Sequence, residues 1–214
     1  MNSQNGIDRL IAVCVLIATL PIVAISALAV VIEDGGPAIF RQRRIGQSGK
    51  PFDLFKLRSM RTVSAGTGIT ARGDPRITRV GKILRKYKLD ELPQIWNILR
   101  GEMAFIGPRP EVPEYVDTCD RRWRVILSVK PGLTDLASLL FCNEEQVLSQ
   151  QCDIETFYRT YLLPRKLELS SQYIRTRSFT TDVKLIWLTI AHCLRPNRNP
   201  SSSIARHFDQ GEAI

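Results

Sequence analysis

TRVGKILRKYKLDELPQIWNILRGEMAFIGPRP, Thr78 to Pro110, decides how this chain is read. An amphipathic run opens it. Val80, Ile83, Leu84 and Tyr87 recur at helical spacing, and Arg79, Lys82, Arg85, Lys86 and Lys88 occupy the rest of the cylinder. The run ends at two adjacent carboxylates, Asp90 and Glu91. A second short helix is expected to start there. Asp90 suits its N-cap, and Pro93 falls in the first turn, where a missing N–H does no harm. Ile95, Trp96, Ile98 and Leu99 follow, and Gly101 closes the helix. Both acids then sit at a helix N-terminus among cations, an arrangement that binds anions and keeps carboxylates ionised.

The charge around this stretch is uneven. The chain has 214 residues and a net charge of +9, which suits one domain, or one domain with a membrane element. Residues 41–100 hold 15 Lys/Arg against 4 Asp/Glu, whereas the remainder holds 15 against 17. One segment therefore carries the basic field, and its partner should be anionic: a nucleotide, a phospholipid surface or a nucleic acid. The five cysteines are odd in number and form no C-x-x-C, which argues against disulfides and zinc and favours a reducing compartment. The two histidines, His192 and His207, lie near the C-terminal end. Catalysis built on a central histidine is disfavoured, and any metal should be a hard cation held by carboxylates.

Upstream, Leu10 to Ile32 carries no charge and as a helix is just long enough to cross a bilayer. Pro21 removes a hydrogen bond to the Ile17 carbonyl and kinks it. A kinked spanning helix would put Arg9 and the Arg41–Arg44 cluster on opposite sides. A re-entrant hairpin would keep both ends on one face. The cluster marks the C-terminal side as cytoplasmic in either case. Ala27-Leu28-Ala29 also resembles a signal-peptide cleavage site, but the run is long for that role and its n-region has little positive charge. Gly35-Gly36-Pro37 ends the helix. Ala38 to Ile45 and Phe52 to Leu57 then read as two strands around a turn. Residues 61–74 read as a mobile loop without a P-loop pattern.

Downstream, Glu111 to Tyr115 starts a further helix. Trp123, among Arg121, Arg122 and Arg124, fits a membrane interface or a core anchor equally well. Lys130 to Thr134 is a turn, and Tyr161 to Arg175 reads as helix. Thr181 to Leu194 is an apolar helix with Trp187. It is too short to span and fits the membrane interface or the core. Residues 196–214 are polar and expected to be disordered.

LDELPQIWNILRGEM followed by GPRP resembles the catalytic core of the bacterial sugar transferase family. Its members are monotopic, membrane-bound polyprenyl-phosphate phosphoglycosyl transferases, and the likeness is to the small form with the catalytic domain only. GPAIFRQRRIGQSGKPFDLFKLRSM and KPGLT are similar to the family as well. The resemblance covers roughly residues 10–194 and is strongest over residues 36–110. It implies an α+β, mostly helical fold. Residues 1–35 would form a re-entrant membrane helical hairpin. Residues 36–195 would form a compact cytoplasmic catalytic domain with a small β-hairpin and interfacial amphipathic helices, and residues 196–214 a tail. The chain departs from the family in two places. Leu20-Pro21 stands where Ser-Pro is usual, and Asp135 and Ser138 stand where many members have Gly and Gln.

The chemistry follows from what is missing. Without a central histidine, a nucleophile that needs a general base is hard to assemble. A carboxylate needs none, since its reference pKa of about 3.9 leaves it ionised at neutral pH. Carboxylates attack phosphorus to give acyl phosphates, but attack on a diphosphate needs a divalent ion and arginines to neutralise the phosphoryl oxygens. The resemblance implies that Asp90 attacks the sugar-bearing phosphate of a UDP-sugar and releases UMP. Polyprenyl (undecaprenyl) phosphate would then take the phosphosugar, giving polyprenyl-diphospho-sugar. It further implies that Glu91 binds Mg²⁺, with Mn²⁺ as the alternative, that Lys56, Arg58 and Arg85 contact phosphate, and that Arg109 contacts the nucleotide. The implied partners are a UDP-sugar, polyprenyl phosphate and membrane lipids, with a homodimer left open and no nucleic acid expected. The implied location is the cytoplasmic face of the bacterial inner membrane. Composition alone also allows a basic, membrane-tethered nucleic-acid-binding module, which would leave DELP and GPRP unexplained.

Overall fold

Helix α1 (Ser3–Asp34) runs unbroken through Pro21, and the rest of the fold is assembled along one side of it. The computed structural model describes residues 3–61 and 69–196. Half of the expected mobile loop (residues 62–68) and all but the first residue of the expected tail therefore lie outside the described residues. The family resemblance implies two helical arms around a break at Pro21, whereas the structure has one helix with the proline inside it. Thr19 Oγ1 donates to the Val15 carbonyl at 2.7 Å, one turn before the proline. Leu10, Ile17, Leu20, Ile25, Leu28 and Ile32 are exposed. On the other side, Ala12, Val15 and Leu16 pack with Phe52, Leu54, Ile95 and Ile98. Val23, Ala27 and Val30 pack with Leu57 and Leu84.

Strands β1 (Ile39–Ile45) and β2 (Pro51–Leu57) form an antiparallel hairpin with Ile39 opposite Leu57 and Ile45 opposite Pro51. Each begins one residue away from the position expected, within the usual scatter of element ends. Helix α2 (Arg79–Lys86) is N-capped by Thr78, whose Oγ1 accepts from Gly81 N at 2.9 Å. The Glu33 carboxylate of α1 also accepts from Arg79 N at 2.7 Å and Val80 N at 2.8 Å. The end of α1 thereby satisfies the free N–H groups at the start of α2.

Helix α3 (Gln94–Arg100) begins later than Asp90. The chain reverses at Lys88, which has left-handed geometry (φ 57°), and then makes a 3₁₀ turn over Leu89–Glu91. Leu92 and Pro93 are already helical. Asp90 is therefore one turn ahead of α3 rather than its N-cap. Gly101, with φ 78°, ends α3 as expected, its N–H turned back on Asn97 and Ile98.

Strands β3 (Ala104–Ile106) and β4 (Gly132–Thr134) are short and parallel, pairing Ala104 with Gly132 and Ile106 with Thr134. This pairing joins GPRP to KPGLT. A Cβ on Gly132 would lie 2.1 Å from the Gly107 nitrogen, so the approach requires glycine there. Between them, residues 113–115 form only a 3₁₀ turn, and α4 (Arg121–Ile126) turns Trp123 into a second core. Trp123 is thus a core anchor. Helices α5 (Leu136–Leu140), α6 (Glu144–Leu148) and α7 (Ile154–Phe157) lead through a π turn into α8 (Leu163–Thr176). Helix α9 (Phe179–Leu194) buries Leu185 against Leu136, Leu139 and Tyr173. Its other side stays open: Phe179 is 83% exposed, Trp187 70% and Leu194 74%.

Candidate active site

Asp90 and Glu91 are buried in the turn between α2 and α3, at 5% and 9% exposure. Burying a charge is costly unless it is paired. Glu91 is paired on both oxygens. Arg109 Nη1 donates to Oε2 at 3.2 Å, Arg109 Nη2 donates to Oε1, and Lys56 Nζ lies 3.5 Å from Oε1. Asp90 differs. Its Oδ1 is buried without a hydrogen-bond partner among the described residues.

The cations are held by groups that neither spacing nor composition singles out. Lys56 lies on β2, and Asn97 of α3 grips that strand. Asn97 Nδ2 donates to the Asp53 carbonyl and to Glu102 Oε2, both at 2.7 Å, while its Oδ1 accepts from Phe55 N at 3.2 Å. Arg109 is aimed by its flanks. Gly132 N donates to the Pro108 carbonyl at 2.9 Å. Tyr158 donates to Glu111 Oε1 at 2.7 Å, and Arg44 lies 3.4 Å from the other oxygen of Glu111. A cavity of about 20 Å³ behind Arg109 is lined by Asp135, Ser138 and Ser170. It has room for a water molecule and not for a hexose.

The electrostatics separate the two acids. Burial pushes the Asp90 carboxyl up, Glu91 pushes it further, and Lys56, Lys88 and Arg85 oppose the rise. This partly offsets the expectation that both acids are kept ionised by their surroundings. Burial would also raise Glu91, but Arg109, Lys56 and Lys88 overcome it and hold that carboxyl well below its usual range. Burial pulls Lys56 down to about 8 against the attraction of Glu91. Glu91 raises Arg109 further above its already high value. The pair is thus one permanently charged acid beside one whose ionisation is more readily reversed.

The structure brings Asp90, Glu91, Lys56 and Arg109 together. Arg85 reaches Asp90 by its field, yet its guanidinium is paired with Glu145 of α6 and lies 3.4 Å from Ser59 Oγ. Arg58 is not drawn to the acids. It is buried and forms an ion pair with Asp34 at 3.2 Å, fastening the end of α1 to β2. Asn97, Glu111, Glu145 and Tyr158 have supporting roles that local sequence reading does not reveal. Asn97 alone leaves a local trace, as a polar residue between Ile95 and Ile98 on a core-facing helix. Among the described residues no cluster of three His, Cys, Asp or Glu side chains forms a metal site. The donors that remain are oxygen only: Asp90 Oδ1, and Glu91 Oε2, which has a single donor and keeps a second acceptor position.

A family model described as bacterial sugar transferase matches residues 2–196. Over 179 residues the chain is 37% identical to a UDP-glucose:undecaprenyl-phosphate glucose-1-phosphate transferase of Caulobacter vibrioides, covering 81% of this chain. A protein of the same description from Escherichia coli is 33% identical over 86% of the chain. A UDP-N-acetylgalactosamine-undecaprenyl-phosphate N-acetylgalactosaminephosphotransferase of Aeromonas hydrophila is 34% identical over 87%. The chain spans 63%, 38% and 42% of the lengths of these three proteins.

Proposed function

The chain belongs to the bacterial sugar transferase family, and from that premise we propose that it transfers a phosphosugar from a UDP-sugar to polyprenyl phosphate through Asp90. The observation that carries the reading is the unspent, buried Oδ1 of Asp90 beside a Glu91 already neutralised by Lys56 and Arg109. An ionised Asp90 attacks the phosphorus that bears the sugar. An Asp90 O–P bond forms, the diphosphate bridge breaks, and UMP leaves with the electron pair. The oxygen of polyprenyl phosphate then attacks the same phosphorus and the Asp90 carboxylate is regenerated. The net positive charge of Lys56 and Arg109 against one Glu91 lowers the repulsion between anionic nucleophile and anionic substrate. Glu91 Oε2 would hold Mg²⁺, or Mn²⁺, since an oxygen-only donor suits a hard cation. When bound, it supplies further charge neutralisation at the phosphoryl oxygens.

The relatives named above share undecaprenyl phosphate and differ in the sugar, glucose in two and N-acetylgalactosamine in the third. The lipid acceptor is therefore the part of the reading with the firmest support. The exposed apolar side chains of α1 and α9 support a membrane-bound enzyme, and Arg41, Arg43 and Arg44 after α1 support the cytoplasmic face of the inner membrane. Residues 1–35 would then be the membrane element and residues 36–195 the catalytic domain. The nucleic-acid reading loses support, because Arg43, Arg44, Lys56, Arg58, Arg76 and Arg85 of the basic segment are paired internally with carboxylates.

The test is a half-reaction. With UDP-glucose or UDP-N-acetylgalactosamine and no lipid, the protein should release UMP and keep a phosphosugar on Asp90 that hydroxylamine removes. Asp90→Asn should abolish both the adduct and turnover. Near-normal turnover in that variant, or an adduct on another residue, would overturn the assignment.

A further inference from the structure

Four cations act on the acid pair: Lys56, Arg85, Lys88 and Arg109. Lys56 and Arg109 are engaged by Glu91, and Arg85 by Glu145. Lys88 is different in three respects. Its side chain is exposed and has no ion pair among the described residues. Its backbone has left-handed geometry, which a lysine adopts at a cost that asparagine or glycine would largely avoid. It also lies two residues before Asp90 and is fixed to the same turn, accepting from Glu91 N at 3.2 Å through its own carbonyl.

The surroundings of Lys88 are apolar and open. Ile83 and Tyr87, one turn apart on the outer side of α2, are 58% and 39% exposed. The C-terminal half of α9 lies nearby. Thr189 is 2.6 Å from Thr134 in the KPGLT turn, and Cys193 is within electrostatic reach of Lys88, Asp90 and Glu91. Helix α9, exposed along Phe179, Trp187 and Leu194, is therefore held against the KPGLT turn through Thr189. A cation that the protein leaves uncompensated thus stands where an apolar surface meets the acids.

We propose that Lys88 binds the phosphate of the polyisoprenoid acceptor, with its hydrocarbon chain leaving along Ile83, Tyr87 and α9. The ligand class follows from the juxtaposition: a mobile ammonium suits a phosphate monoester, and the adjoining exposed side chains suit a lipid rather than a nucleotide. Lys88 would offset the charge of the incoming phosphate as its oxygen approaches the phosphorus on Asp90. The identity of the acceptor rests on the transferase reading above, whereas a phosphate-binding role for Lys88 does not.

The experiment measures binding and turnover separately. Purified protein is titrated with phosphatidylcholine nanodiscs containing undecaprenyl phosphate and with discs lacking it. Wild-type protein should prefer the former. Lys88→Asn should weaken that preference about tenfold or more, the loss expected for one charge-assisted contact. Lys88→Arg should restore most of it. In turnover, Lys88→Asn should raise the KM for undecaprenyl phosphate much more than the KM for the UDP-sugar. Asparagine separates charge from backbone, because a residue needed only for the turn would leave Lys88→Asn as stable and as active as wild type. That outcome, or a defect confined to the UDP-sugar, would overturn the proposal. If wild-type protein releases no UMP from any UDP-sugar yet binds the lipid phosphate through Lys88, the transferase reading falls and this inference stands.

Discussion

Glu91 stays charged in a buried site because the half-buried Lys56 and Arg109 reach into it, and the three must be considered together. Removing one partner of such a cluster leaves an uncompensated charge, which typically costs about 3–5 kcal/mol. Because Arg109 is about a third exposed and Lys56 still faces Glu91, Arg109→Met should lower stability by less, about 1–3 kcal/mol, as well as activity, as read by urea unfolding. The reading would fail if the variant were as stable as wild type. Lys56 also gives the site a pH signature. It is protonated below about pH 8 and loses its charge above it. kcat/KM for the UDP-sugar should therefore fall as pH rises through about 8. On the acid side, activity needs ionised Asp90. Burial raises that pKa, so the loss on acidification should begin above the range of an ordinary aspartate. Lys56→Arg should remove the alkaline limb and keep the acid one, because guanidinium stays protonated. An unchanged alkaline limb in Lys56→Arg would assign it to another group. At this scale the acid pair was legible because two adjacent carboxylates amid cations are conspicuous in any sequence. The pairing of Arg58 with Asp34 and of Arg85 with Glu145 was not, because those carboxylates are supplied by other elements.

Helix α3 and strand β2 meet through Asn97, a fully buried side chain that satisfies the Asp53 carbonyl and the Phe55 N–H on either side of Leu54. Asn97→Ala strands both backbone groups. Stability should fall by about 3 kcal/mol, with a matching drop in the denaturation midpoint and little change in slope. A loss within experimental error would mean that water replaces the amide. Helix α9 poses the opposite case, an element whose outward apolar side chains Phe179, Trp187 and Leu194 are uncovered among the described residues. Phe179→Glu and Trp187→Glu should each weaken sedimentation with phospholipid vesicles about tenfold, the value of one large apolar side chain removed from the bilayer surface. Unchanged sedimentation in both variants would exclude α9 as a lipid contact. The hairpin, α2 and the close of α3 were legible because alternation, amphipathic spacing and Gly101 are local signals. The start of α3 was misjudged because Asp90 and Pro93 imitate a helix start, whereas the break falls at Lys88, a residue with no intrinsic preference for left-handed geometry. The choice between core and interface for α9 was not legible either, since periodicity identifies an apolar face and not what covers it.

The two ends of α1 rest on the same body. At the N-terminal end, a Cβ on Gly101 would lie 2.7 Å from the Arg9 guanidinium. At the C-terminal end, Glu33 caps α2 and Asp34 pairs with Arg58. A spanning helix would have to carry Arg9 through about 30 Å of hydrocarbon, away from the domain it touches. Composition could not decide between spanning and returning, because 23 uncharged residues satisfy both. The contacts that favour returning join α1 to residues about 25 to 90 positions further along the chain, and no local pattern encodes them. In a returning arrangement the exposed row from Leu10 to Ile32 would face lipid from one leaflet, while Ala12, Ser26 and Val30 stay against the body. This orientation predicts the topology of the protein in cells. In a variant without the five native cysteines, Gly6→Cys and Lys50→Cys should both resist an impermeant thiol reagent added to intact spheroplasts and both react after lysis. Both positions tolerate the probe, since a Cβ on Gly6 meets nothing within 4 Å and Lys50 is exposed. Labelling of residue 6 alone in intact cells would establish a spanning helix. It would also require Arg9 and Ala12 to leave the body, so α1 could not pack along α3 as it does in the structure.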